Sequence, residues 1–97
     1  MNEQGFYDLY KVLAETKTAK SGDYPQLSLD MIDEIEEMLL DMDITAAAKE
    51  KAILLLAHQQ SKTAIRALKR YILKTEDPDL KIFAQIGLDE CRMWNEP

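Results

Sequence analysis

Few residues in this chain have the type and spacing for chemistry. The single histidine, His58, cannot build a His-rich metal site, and followed by Gln59-Gln60-Ser61 it reads as a helix end, where an imidazolium favours the negative dipole terminus. The single cysteine, Cys91, excludes an internal disulfide and a multi-cysteine zinc site. Nucleophilic catalysis by that thiol needs a base beside it, and the sequence places none there. Adjacent carboxylates such as Glu36 and Glu37 can in principle perform acid–base work. On a helix, however, neighbouring residues do not face each other. There is no Gly-rich phosphate loop, paired-His motif or calcium-loop spacing. The expectation is therefore a non-enzymatic protein with no catalytic residue, no metal ligand and no cofactor.

Charge is the more informative chemistry. Residues 28–43 carry seven acids (Asp30, Asp33, Glu34, Glu36, Glu37, Asp41, Asp43) and no base. Residues 61–74 carry five bases (Lys62, Arg66, Lys69, Arg70, Lys74) and no acid. Two helices so charged either set their own register by pairing or offer a surface to a partner. The acidic half of such a surface takes Lys and Arg, and the basic half takes Asp and Glu. Partner-binding candidates are Glu36, Glu37, Arg66, Lys69, Arg70 and Lys74.

Five helices must position these residues, because Ala, Leu, Glu, Lys and Met dominate the composition. The first runs from Glu3 to Thr16 with Phe6, Leu9, Tyr10, Leu13 and Ala14 on one face. Gly22 and the Tyr24-Pro25 pair make 18–27 a loop. The second helix starts at the N-cap Ser28, with an inner stripe of Ile32, Ile35, Met38, Leu39 and Met42. Thr45 opens the third, which ends near His58 and turns Ala52, Ile53, Leu55, Leu56 and Ala57 inward. Ser61 caps the fourth, with Ala64, Ile65, Leu68, Tyr71 and Ile72 inward. Asp77-Pro78 opens the fifth, where proline's missing N–H has no partner to lose. Its face is Leu80, Phe83, Ala84, Gly87, Cys91 and Trp94.

Placing Ser28 over Ser61 aligns the second and fourth helices without gaps at an offset of 33, and after the turn Lys49 meets Lys81, Ala52 meets Ala84 and Leu56 meets Leu88 at 32. The alignment sets Asp33 against Arg66, Glu36 against Lys69, Glu37 against Arg70 and Asp41 against Lys74. A helix–turn–helix unit recurring in the low thirties marks an α-solenoid, whose helix pairs bury their apolar sides against their neighbours. The chain then reads as one helical-repeat domain over 1–97, with an N-terminal helix and loop (1–27) and repeat units at 28–58 and 61–91.

The segment Asp77-Pro78-Asp79-Leu80-Lys81-Ile82-Phe83-Ala84-Gln85-Ile86-Gly87-Leu88 resembles the first helix of a HEAT-type repeat. Ala64-Ile65-Arg66-Ala67-Leu68-Lys69-Arg70-Tyr71-Ile72 is similar to that family's second helix. The resemblance covers about 45–92; residues 45–58 depart from it, having Ile44-Thr45 in place of Asp-Pro. Tetratricopeptide repeats are the second choice, supported by Ile86-Gly87 but lacking that family's Trp/Leu-Gly/Tyr positions over 45–58. Both imply an all-α fold of antiparallel helix pairs in a short two-layer solenoid, and a module that binds a protein or peptide.

The last helix carries more apolar surface than one face can bury. Ile82, Ile86 and Met93 lie on an adjacent stripe, with Trp94 at its end. Uncovered apolar surface marks an interface, so these four residues are the expected contacts of a homodimer, unless the first helix folds back over them. The net charge of -6 disfavours general nucleic-acid binding. The alternative of a small nucleic-acid-binding solenoid rests on Arg66, Lys69, Arg70 and Lys74 with Tyr71. No apolar stretch reaches the roughly 20 residues of a membrane span, and the N-terminal residues lack a basic-then-apolar leader pattern. The expected location is cytoplasmic.

Overall fold

The computed structural model describes residues 2–16 and 25–95. It contains five α-helices: α1 (Glu3–Thr16), α2 (Leu29–Leu40), α3 (Ala46–Ala57), α4 (Lys62–Lys74) and α5 (Pro78–Asn95). Most of the loop expected over 18–27 lies outside the described residues. Pro25 to Ser28 are non-helical and lead into α2.

Four helix starts follow from local chemistry. Ser28 Oγ accepts the Met31 N–H (3.2 Å) and Thr45 Oγ1 that of Ala48 (3.3 Å). Ser61 Oγ accepts from Thr63 (3.2 Å), and Asp77 Oδ1 from both Asp79 and Leu80 (3.0 and 3.1 Å). Each satisfies backbone donors that a helix start would otherwise leave open. At the start of α3 a second acid contributes. Glu3 of α1 accepts the Thr45 N–H (3.2 Å) and hydroxyl (2.7 Å), placing negative charge at the positive end of the α3 dipole.

Packing follows the apolar faces. Helix α3 is the central element, contacted by each of the other four. It is apolar nearly all round, and Ala48, Ala52, Ile53, Leu55, Leu56 and Ala57 are buried. Helix α4 is more strictly two-sided, with Ala64, Ile65, Ala67, Leu68 and Tyr71 inside and its bases outside. Beyond sequential neighbours, α1 packs on α3, α3 on α5, and α2 on α4. Contacts at the same sequence separation of 34 occur at Gln26–Gln60 and again at Glu36–Arg70, so α2 and α4 run side by side in one direction. Helices α3 and α5 do the same, since Gly87 meets Ile53, Cys91 meets Leu56 and Asn95 meets Gln59 in order. The seam is tight at Gly87: a Cβ there would stand 3.0 Å from Ile53 Cγ2, so that side chain would have to give way, and at an ordinary 3.5 Å from Ala57 Cβ. The radius of gyration, 12.4 Å, fits the roughly 13 Å of a compact domain of about 100 residues.

Two expected core positions are corrected. Met42 is 94% exposed, because α2 ends at Leu40 and Asp41 is already extended, with its N–H on the Met38 carbonyl. Trp94 is 43% exposed, with its ring 6.2 Å from that of His58 rather than in the core.

Candidate functional site

Four places on this frame gather the chemistry-bearing side chains. The first is the α2/α4 seam. Glu36, 12% exposed in its side chain, receives Arg70 bidentately: Nε donates to Oε2 (2.6 Å) and the second guanidinium nitrogen to Oε1 (2.5 Å). That hydrogen-bonded pairing, followed by its Coulomb attraction and that of Asp33, holds the Arg70 guanidinium above its ordinary value. The equivalence of positions in the alignment set Glu36 against Lys69 and Glu37 against Arg70. The observed partner of Glu36 lies one residue further on. Glu37, Arg66, Lys69 and Lys74 are exposed and form no ion pair among the described residues. Of the six charged candidates, the structure therefore joins two to each other and leaves four on the surface.

The second place is the outward side of α5. Leu80, Ala84, Gly87, Leu88 and Cys91 are buried, and the opposite stripe leaves Ile82 (63%), Ile86 (60%) and Met93 (76%) open. Helix α1 packs on α3, so the fold-back expected as one way to cover this stripe is not what the described residues do.

At the third, where α2 and α4 begin, side-chain amides that the sequence reading passed over form a network. Gln59 is fully buried. Its Oε1 accepts the Leu27 N–H (2.7 Å), and its Nε2 donates to the carbonyls of Pro25 (3.1 Å) and Leu55 (3.0 Å). Gln26 reciprocates, donating to the His58 carbonyl (3.2 Å) and accepting the Gln60 N–H (2.6 Å). Asn95 at the end of α5 donates to the carbonyls of Gln59 (3.0 Å) and Cys91 (2.8 Å).

Cys91 and His58 sit beside this network. The thiol faces the Leu56 and Gln59 carbonyls (3.4 and 3.5 Å). Burial, reinforced by the charge of Glu90, pushes its pKa up to about 11, the opposite of what a nucleophile needs. At His58, Nδ1 meets the Leu54 carbonyl (2.8 Å), which can only accept, so that nitrogen carries a hydrogen; Nε2 lies 3.0 Å from Glu90 Oε1. The ring ties the end of α3 to α5. No cluster of three or more metal-ligating side chains occurs among the described residues.

The fourth place is at the opposite end of the bundle, where a groove of about 590 Å³ separates the α2–α3 turn from the α4–α5 turn. Leu40 and Met42 give it exposed apolar surface above the buried Leu39, Ile44, Tyr71 and Leu80, with Lys49, Lys74, Glu76 and Asp77 among its polar lining. It was invisible in the sequence because its walls come from segments some thirty residues apart.

No family model, curated protein or solved structure matches this chain, so neither fold family nor activity comes to it by relationship.

Proposed function

We propose that the chain is a non-enzymatic interaction module built as a short HEAT-like stack of helix pairs, and that it self-associates through α5. The stacking reading is supported by the alternation of contacts, α1 with α3 with α5 and α2 with α4, and by the common direction within α2/α4 and α3/α5. Two helix hairpins laid one on the other produce that pattern. The binding reading is carried by the stripe Ile82, Ile86 and Met93, three large aliphatic side chains on one face of one helix, each at least 60% exposed. Exposed large apolar side chains gathered on one helix face, here with Asp89 between Ile86 and Met93, point to an interface.

Light scattering across a concentration series up to about 100 μM tests the pairing, since mass action drives a real dimer together. The expected result is a dimer that Ile86→Glu converts to a helical, cooperatively unfolding monomer, with the concentration dependence of the unfolding temperature lost. A wild-type chain that stays monomeric throughout overturns it. Phosphate-backbone binding through α4 draws less support, because Arg70 is engaged by Glu36 while Asp33 and Glu37 stand on the adjoining helix. A cytoplasmic location belongs to the same proposal; no helix among the described residues is long and apolar enough to cross a membrane.

A further inference from the structure

We propose that the outer face of the α2/α4 pair is a second contact surface, and that its occupant is the same face of a second copy of the chain, related by a two-fold axis parallel to the two helices. The proposal does not depend on the α5 contact. Helices α2 and α4 lie side by side, run in one direction and are in register, with contacts at Gln26–Gln60 and Glu36–Arg70. Their outward residues are charged and opposite in sign. Asp30, Asp33 and Glu37 are exposed on α2, and Lys62, Arg66 and Lys69 on α4. These acids and bases do not neutralise one another within the molecule. The seam is joined by Glu36 and Arg70, and none of the six exposed groups forms an ion pair among the described residues.

A face with an acidic half beside a basic half complements itself in one orientation. Two identical faces stack through a two-fold axis lying in the plane between them. An axis across the helices lays α2 on α2 and α4 on α4, so that acid meets acid and base meets base. An axis along the helices exchanges the halves, and each α2 then lies on the other copy's α4. Such a rotation leaves heights along the helices unchanged. Because α2 and α4 are in register, Asp33 of one copy faces Arg66 of the other, and the contact occurs twice. The same rotation sets Leu40 against Leu73 of the second copy. These two apolar side chains are 38% and 83% exposed, and pairing them takes apolar surface out of water. Exposed ion pairs are individually weak, so the charges select the orientation more than they supply affinity. Two copies of net charge -6 repel each other at long range, but at about 0.1 M salt that repulsion is damped beyond roughly 10 Å, while pairs in contact persist.

The test is sedimentation equilibrium of the full chain carrying Ile86→Glu, which removes the α5 contact, at protein concentrations up to about 1 mM. The expected result is a reversible dimer at about 0.1 M NaCl whose dissociation constant rises at least ~10-fold at about 1 M, where screening acts within roughly 3 Å. In the same background, Arg66→Glu puts acid against acid at both symmetric contacts, and Asp33→Arg puts base against base. Each variant alone should be monomeric. Mixed in equal amounts they restore an opposite pair at both contacts, and the heterodimer should form at least ~10-fold more tightly than either homodimer. Both positions are exposed, and the amide spectrum of each variant reports that its fold is intact. A monomer at about 1 mM protein and 0.1 M NaCl overturns the proposal. So does dimerisation indifferent to the two reversals, or a mixture that associates no better than its components. None of these outcomes bears on the α5 contact, which wild type reports at lower concentration, and loss of the α5 contact leaves this test as it stands.

Discussion

Where α2 and α4 begin, three side-chain amides bind the chain segments to one another; where α2 and α4 end, no hydrogen bond among the described residues joins the two turns and a groove lies between them. The open end is built from the α2–α3 and α4–α5 turns, and the closed end from residues 25–28, the α3–α4 turn and the end of α5. They differ in where their polar groups point. At the closed end the donors and acceptors of Gln26, Gln59 and Asn95 are turned onto backbone groups of neighbouring segments. At the other end, capping by Thr45 and Asp77 satisfies each turn within itself or, for Thr45, against Glu3 of α1. Backbone groups satisfied locally need no bridge, and the space between the turns stays available. Register is set at one end, and space is left at the other.

The contrast breaks most sharply at Gln59. Gln59→Leu keeps roughly the volume but strands the Leu27 N–H and the Pro25 carbonyl in a part-buried site, while the Leu55 carbonyl keeps only the longer bond from the His58 N–H (3.4 Å). An unsatisfied buried donor alone costs about 1–3 kcal/mol, and the network around it raises the total, so a loss of about 3 kcal/mol is expected. Urea unfolding with an unchanged slope checks it. A loss below about 1 kcal/mol would mean that the amides decorate this end and do not close it.

A smaller effect of the same end appears with pH. The Cys91 thiol, at 9.0 in its ordinary state, is held up to about 11 by burial and then by Glu90. Below pH 9 the thiol is protonated in both the folded and unfolded chain, and its contribution is constant. Between 9 and 11 the unfolded chain releases the proton while the folded chain keeps it, so stability falls as pH rises, by a total on the order of 2 kcal/mol. Burial also raises Tyr71, in the same direction at higher pH. The difference between wild type and Cys91→Ala, followed by urea unfolding from pH 8 to 11, isolates the thiol. Parallel curves for the two proteins would show that the closed end admits water to Cys91.

How much of this was legible in the sequence depends on the range of the interaction. Caps at Ser28, Thr45, Ser61 and Asp77 act on N–H groups two or three residues away, and all four were readable. Met42 misled because periodicity marks the next stripe position whether or not the helix still continues there. The opposed charges of α2 and α4 were plain, yet the pair formed is Glu36 with Arg70 and not Glu36 with Lys69. Side-chain ridges of adjacent helices mesh in each other's grooves, so the residue touched need not be the aligned one. The amide network had a trace, since Gln26-Leu27-Ser28 and Gln59-Gln60-Ser61 repeat Gln-x-Ser before two helices. A glutamine before a cap reads as a polar linker, and its burial is decided by the segment that packs over it. The groove depends on two turns meeting in space and left no trace.

The smallest effect lies at the open end. Lys49 and Lys74 pair with no carboxylate among the described residues and border a space instead of filling one. Replacing each by Ser removes aliphatic stem and charge from a solvated rim, and surface changes of this kind stay within about 0.5 kcal/mol. The double variant should therefore unfold at the same urea concentration as wild type while Gln59→Leu does not. If instead Lys74→Ser alone lowers stability by more than about 1 kcal/mol, its stem is covering Tyr71 and Leu80 as part of the core. The groove would then be a packing seam held by a lysine side chain, and the distinction between a closed end and an open one would fail.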